Sequence, residues 1–251
     1  MQLPQPLQGS HPGETGLSCL EYALQDKAVV PDTHGIFLAA TFRMNPALAG
    51  FISDAIYQGR LGVDASCRNH VLHPARQADA AIRPCGLSFV AMNHAECTQR
   101  SDEEIERILA LVHDLLRGHV TAKSADDYRK RRMKADDIMV VAPYNMQVNA
   151  LRAALDRAGY RGVTVGTVDK FQGREAQVVI VSMTTSDAAS MPRDASFLLS
   201  RHRLNVAVSR AKALAIVVAS IGLLDLNASS VEEMRLANLL CHMAAVGQTH
   251  T

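Results

Sequence analysis

No glycine in this sequence is followed by lysine, and that gap removes one class of function. A P-loop needs Gly-x-x-x-x-Gly-Lys-Ser/Thr, so that backbone N–H groups cradle the phosphates while the lysine reaches them. An apolar strand ending in Asp-Glu, which would hold Mg²⁺, is missing too; Asp102-Glu103 opens a helix instead. Tryptophan is absent and aromatic residues make up 4%, so platforms for stacking bases are few. Net charge is +1, which leaves no whole-molecule attraction for nucleic acid; any basic surface must be local. No apolar run approaches the roughly 20 residues of a membrane span, so no membrane partner is expected. The first residues, with Pro4, Pro6 and Gln8, lack a signal-peptide pattern. The five cysteines form no C-x-x-C, which suits reduced thiols and an expected cytoplasmic location.

What is present is an ordinary globular balance of 48% apolar and 20% charged residues over 251 positions. Apolar runs rich in Val and Ile alternate with helical patterns, which predicts an α/β fold with a parallel sheet covered on both faces. Residues 1–35 read as an irregular N-terminal segment, with a short helix over Leu17 to Leu24. A main domain over 36–245 follows. Its strands are expected at Ile36 to Ala40, Leu87–Ala91, Ile138 to Ala142, Val163–Val165, Val178–Ser182 and Ala213–Ala219. Pro46 suits the first turn of a helix reaching about Tyr57. Residues 58–86 form an excursion. Ser101-Asp-Glu-Glu104 is a capping box opening an amphipathic helix that Gly118 ends. Residues 119–136 read as a linker carrying Tyr128-Arg-Lys-Arg-Arg-Met-Lys134, either a solvated loop or a tracker of phosphate backbone. Asn145 is expected to cap a helix to about Ala158, and Ser230-Val-Glu-Glu233 to start the last one through Cys241.

Cys67, His70, His73, Cys85, His94 and Cys97 have side chains that could ligate zinc. Their spacing matches no standard module, and ten histidines make chance clusters common, so no metal site is expected.

Two segments concentrate the chemistry. Gly166-Thr-Val-Asp-Lys-Phe-Gln-Gly-Arg-Glu-Ala-Gln-Val-Val-Ile-Val-Ser182 is a polar loop running into a buried strand. Arg203-Leu-Asn-Val-Ala-Val-Ser-Arg-Ala-Lys212 reads as a short helix and then another strand. Leu204, Val206, Ala207, Val208 and Ala211 form its apolar arc, with Asn205 and Ser209 opposite. Arg203 and Arg210 project from inside that arc, and a guanidinium near apolar surface must find an anion. A structural salt bridge, a stem that snorkels to water, and a bound phosphate all satisfy that demand.

These segments resemble motifs V and VI of superfamily I helicases, in the group of RNA-surveillance and DNA-replication helicase-nucleases. Met1-Gln-Leu-Pro-Gln5 resembles the tail of motif III, Thr41-Phe-Arg-Met-Asn-Pro46 the Tyr-Arg-Met-His-Pro element, and Val140-Val-Ala-Pro-Tyr-Asn-Met-Gln147 motif IV. Five elements in matching order span residue 1 to about residue 240. The wording around Phe197-Leu-Leu-Ser-Arg-His-Arg-Leu-Asn205 is similar to bacterial helicases fused to a RecB-type nuclease.

The resemblance implies the second RecA-like domain of an ATP-dependent motor whose first domain, in cis or in trans, supplies the P-loop and most Mg²⁺ ligands. It implies single-stranded DNA or RNA as the track and 5′ to 3′ polarity. It implies that Arg43 and Arg210 reach the γ-phosphate and that Gln2 senses it. Phe42 would stack near adenine, Glu175 would sit near the ribose, and Gly173 would permit the tight turn beside it. Tyr144, Asn145 and Thr167 would hold the nucleic-acid backbone. Plainer roles stay open: Phe42 as core, Glu175 as a surface ion pair, Asn145 as a cap and Thr167 as a turn residue. A chain lacking the first half is expected not to hydrolyse ATP alone; the alternative is a truncated or non-catalytic binding module.

Overall fold

The computed structural model describes residues 31, 33–124, 127–171, 173–192, 195–225 and 231–247. Gln2, the motif III tail, the helix expected at Leu17 to Leu24 and the cap expected at Ser230 lie outside them. In chain order the first elements are β1 (Ala40–Thr41), α1 (Pro46–Tyr57), β2 (Gly62–Val63), β3 (Val71–His73) and β4 (Gly86–Met92). Next come α2 (Asp102–Arg117), β5 (His119–Ser124), β6 (Asp127–Arg132), β7 (Ile138–Val141), α3 (Asn145–Arg157) and β8 (Thr164–Gly166). The chain continues with β9 (Ala176–Ser182), α4 (Ala195–Leu198), α5 (Arg201–Val208), β10 (Ala211–Ser220) and α6 (Val231–Gly247).

The principal sheet has five strands in the order β4-β10-β9-β7-β8. Every pairing in it is parallel, with Val217 level with Val181 on one side and Phe89 on the other. Side chains alternate across it at the two-residue period of a strand. Val179, Val181, Ala215 and Val217 meet Leu48 and Ile52 of α1 together with residues of α5 and α6. Val178, Ile180, Leu214 and Ile216 meet Ile108 of α2 and Leu151 of α3. With both faces covered, Ala213 to Ala219 are wholly buried, which is why those strands read as continuous apolar runs. Each fully buried Val, Leu or Ile contributes about 1.5–3 kcal/mol.

The helices begin where their first residues dictate. Asn45 accepts from Ala47 N and Pro46 occupies the first turn of α1, where its missing N–H costs nothing. Ser101 accepts from Glu104 N at the start of α2. The second half of the expected capping box is absent, because the Glu104 carboxylate turns inward to Ser182 and Thr184.

Other expectations change. Ile36 and Leu38 are 89% and 81% exposed; the strand is only Ala40–Thr41, pairing with Gly62–Val63 in a sheet of its own. Among the described residues no apolar layer covers Ile36 and Leu38, and a short apolar run alone does not make a strand. The expected linker at 119–136 contains the β5–β6 hairpin, which joins β3 in a three-stranded antiparallel sheet. Asn205, expected on a polar side, is buried and donates toward Tyr57 Oη at 3.4 Å, because α5 is packed on both sides. α5 ends at Val208, so Arg210 stands in the turn before β10 and Ala211 belongs to the strand.

Candidate functional site

A parallel sheet has two chemically different edges, and the candidate residues divide between them. Glu175 immediately precedes β9 and Arg210 immediately precedes β10, so both lie at the amino edge. The turn before α1 is tied there by Asn45 N donating to Lys212 O at 2.7 Å, which brings in Phe42 and Arg43. Arg43 donates from Nε to Glu175 Oε2 at 2.9 Å and from Nη1 to the Ser209 carbonyl at 3.2 Å. Lys212 Nζ reaches the other carboxylate oxygen of Glu175 at 2.5 Å. Among the described residues Arg210 has no such partner: its Nε is buried without a hydrogen bond. Burial, and then the positive charge of Arg43, push its pKa down from the usual arginine value. Arg43 and Lys212 thus share one carboxylate, while Arg210 beside them has no ion-pair partner among the described residues.

Arg43 and Glu175 border an open cavity of ≈ 370 Å³ that Thr41, Phe42, Tyr57 and Ser209 also line. Phe42 is 75% exposed at that cavity and so is not a core residue. Gly173 adopts φ +81°, a left-handed conformation that favours glycine, on the way into Glu175.

Lys212 and the Ser209 carbonyl are parts of this site that the sequence reasoning missed. The available signal was spacing: Arg210 and Lys212 are two residues apart at the start of a strand, where alternate side chains share a face.

Glu175 gives the amino edge a testable pH response. Burial raises its carboxyl pKa, but hydrogen bonds and charge from Lys212 and Arg43 outweigh that and hold it below the usual carboxylate range. A depressed carboxyl stabilises the fold above its unfolded pKa and loses that contribution as pH falls through the folded one, here below about pH 4. The groups are partly solvated, so the contribution is under about 1 kcal/mol. The melting-temperature advantage of the wild type over Glu175→Gln is expected to disappear on acidification from near neutrality to below about pH 4. An advantage unchanged over that range contradicts the pairing.

Tyr144, Asn145 and Thr167 lie at the other edge, beyond the carboxyl ends of β7 and β8. The N-cap of α3 is Tyr144, in extended conformation, and no side chain caps it. Asn145 is therefore the first helical residue, exposed, and not the expected cap. The Tyr144 and Phe197 rings stand 5.7 Å apart beside a cavity of ≈ 210 Å³ that Asn145, Met146 and Gln99 also line. Arg203, at the start of α5, lies near Phe197 with its guanidinium 4.6 Å from the ring centre and 3.4 Å from Asp169. Arg203 and Arg210 thus serve opposite edges.

The same edge is underpinned by a buried polar network. Glu104, fully buried, accepts from Ser182 Oγ at 2.5 Å and Thr184 N at 2.9 Å, and meets His94 Nε2 at 3.2 Å. Thr184 has φ +71°, rare for a β-branched residue.

Thr167 follows β8 at the carboxyl edge and Glu175 precedes β9 at the amino edge, and α5 with its following turn joins the same two edges from Arg203 to Arg210. The sheet between them is roughly 20 Å deep, from seven residues of β9 at strand rise. The residues weighed as zinc ligands go elsewhere: His73 bonds Thr121, His70 bonds Tyr128 and His94 bonds Ser186. Among the described residues no three His, Cys, Asp or Glu side chains gather as a metal site, and no helix is long and apolar enough to cross a membrane.

Five parallel strands flanked by helices are consistent with a RecA-like domain. The chain belongs to the AAA domain family AAA_12, whose description matches residues 17–221, and with it to the superfamily I helicases. It is 29% identical over 198 residues to the DNA polymerase alpha-associated DNA helicase A of Saccharomyces cerevisiae, covering 75% of this chain and 28% of that protein. It is 29% identical over 224 residues to the DNA-binding protein SMUBP-2 of Rattus norvegicus, covering 84% and 20%. With the ATP-dependent helicase upf1 of Schizosaccharomyces pombe it shares 26% over 209 residues, covering 79% and 21%. The chain thus spans between 20% and 28% of the length of these relatives. Among solved structures, the C-terminal domain of a possible DNA helicase from Lactobacillus plantarum WCFS1 superposes with a TM-score of 0.40 at 16% identity, covering 78% of this chain and 94% of that one.

Proposed function

We propose that residues 36–245 are the second motor domain of an ATP-dependent superfamily I helicase. In this reading ATP lies against the amino edge, held chiefly by a first motor half in the same or another polypeptide. Arg210 and Arg43 meet its γ-phosphate and offset the charge that develops in the transition state. The exposed Phe42 ring packs near adenine, Glu175 lies near the ribose, and Gln2 completes the phosphate contacts. Mg²⁺, when bound, would offset charge on the phosphates, and its ligands would come mainly from the first half. Single-stranded DNA or RNA crosses the carboxyl edge at Tyr144, Asn145 and Thr167, with 5′ to 3′ movement as in related motors. The two segments that span the sheet couple the edges, so that closing the nucleotide cleft moves the strand contacts.

One observation carries this reading: Arg210 Nε is buried and, among the described residues, has no hydrogen-bond partner, beside the positive charge of Arg43, which lines an open cavity. A structural salt bridge would have supplied that partner.

The test joins this chain to a superfamily I first motor domain. The joined protein is expected to hydrolyse ATP faster when single-stranded oligonucleotide is present, while the chain alone shows no turnover. Mg²⁺-dependent hydrolysis by the chain alone, or a joined protein indifferent to the strand, would rule the reading out. A joined protein that binds strand yet never turns over ATP would favour the non-catalytic binding module.

A further inference from the structure

We propose that the outer face of the β3–β5–β6 sheet is a second nucleic-acid contact, separate from the carboxyl edge, that grips the sugar-phosphate backbone. It goes beyond the motor reading and rests on the hairpin alone.

Pairing fixes which residues share each face. His73 stands level with His119 and Arg132, Thr121 with Lys130, and Lys123 with Tyr128. The intervening residues point to the other side, where Leu72, Val120 and Ala122 enter the core. On that inner side each cation of β6 has an acidic partner: Arg131 pairs with Asp137 at 2.6 Å and Arg129 with Asp127 at 3.8 Å. On the outer side Lys123, Lys130 and Arg132 are exposed, and among the described residues none has an ion-pair partner. The outward positions of these paired strands carry no carboxylate; Asp64, on a neighbouring turn, feels Lys123 and is itself bonded to Ser66.

Charge on an edge strand also keeps sheets from pairing edge to edge, but either sign serves that purpose. A face of one sign recognises a polyanion. Successive outward cations on β6 stand about 7 Å apart and continue across the sheet into His119 and His73. Tyr128 sits on the same face, braced by His70 through a 3.2 Å hydrogen bond and an edge-on ring contact at 5.5 Å. Cations interleaved with an aromatic ring are what single-stranded nucleic acid is held by. An acidic polypeptide has no use for the ring.

The experiment titrates the full chain and its Lys123→Gln/Lys130→Gln/Arg132→Gln variant with fluorescent oligothymidine, a duplex of equal length and polyglutamate, at several salt concentrations. All three side chains are exposed, so melting temperature is expected to be unchanged. The variant is expected to bind oligothymidine about tenfold or more weakly, and its slope of log affinity against log salt to fall by about 2, from three phosphates at about 0.7 each. A larger loss on the duplex arm would support the surface with double-stranded nucleic acid as its form. Unchanged affinity and slope, no oligonucleotide binding by the wild type, or loss confined to polyglutamate would each overturn the proposal. The same comparison in an Asn145→Ala/Thr167→Ala background separates the two surfaces, because losing the carboxyl-edge contacts leaves the hairpin effect intact.

Discussion

Arg210→Ala is expected to lower ATP turnover in the joined two-half protein by about 10³-fold or more, the scale of an arginine supplied to a transferring phosphoryl group. Strand binding is expected to stay within about twofold of wild type, because Arg210 stands at the edge opposite Tyr144 and Thr167. Stability separates this role from a structural one. Removing one partner of a buried ion pair destabilises strongly, but Arg210 has a buried Nε without a hydrogen bond and a like charge beside it. Its removal is therefore expected to leave the melting temperature unchanged or raised. Arg210→Lys is expected to recover little, because an ammonium cannot reproduce the planar fork. Arg43→Ala should also abolish turnover, with a different signature, since it leaves Glu175 with Lys212 as its remaining ion-pair partner and removes a contact to the Ser209 carbonyl. Wild-type turnover by Arg210→Ala, or a large fall in its stability, would end the phosphate role.

Much of the fold is legible in the sequence because its central strands are buried on both faces. Val178–Ser182 and Ala213–Ala219 have no polar alternation to misread, and the ends of α1 and α2 are marked by Asn45–Pro46 and Ser101. Charge-rich β6 is harder to read. Its cations occupy both faces, inner ones neutralised by Asp137 and Asp127 and outer ones left to solvent, so the strand shows no period of two. Asn205 misleads in the other direction, since helical periodicity assumes one covered face and α5 has two. For the site, motif order names the candidate residues but cannot say that Arg203 and Arg210 stand at opposite edges. That follows only once α5 is seen to end at Val208. The nucleotide candidates also gather at strand amino ends, whereas open sheets usually bind ligands at the carboxyl ends. A site completed by a second domain is not bound by that rule.

Glu104→Ala is expected to destabilise the domain by about 3–5 kcal/mol, the scale of removing one side of a buried hydrogen-bonded network. The carboxylate comes from the first turn of α2 and meets groups from two other parts of the fold: Ser182 at the end of β9 with Thr184 just beyond it, and His94 after β4. His94 in turn bonds Ser186, which accepts from Cys97 N at 2.9 Å, so the connection from β4 into α2 is fastened to the loop leaving β9. Thr184 holds φ +71° in that loop, a conformation costing about 1–3 kcal/mol that persists only where its surroundings impose it. Thr184 is fully buried there, with its N–H donating to Glu104 and its hydroxyl 3.3 Å from Ser182 Oγ. Without the carboxylate the loop is free to relax, so Glu104→Ala and Thr184→Gly together should cost less than the sum of the single changes. Glu104→Gln keeps one acceptor and most of the shape, and is expected to cost about 1–3 kcal/mol. Ser182 Oγ also accepts from Gln147, in the first turn of α3, so slackening here reaches Tyr144 and Asn145. Oligonucleotide affinity should therefore fall in Glu104→Ala under conditions where the protein is still folded. Denaturation by urea measures the first effect and anisotropy the second; a Glu104→Ala chain within about 1 kcal/mol of wild type would show that the network carries no such load.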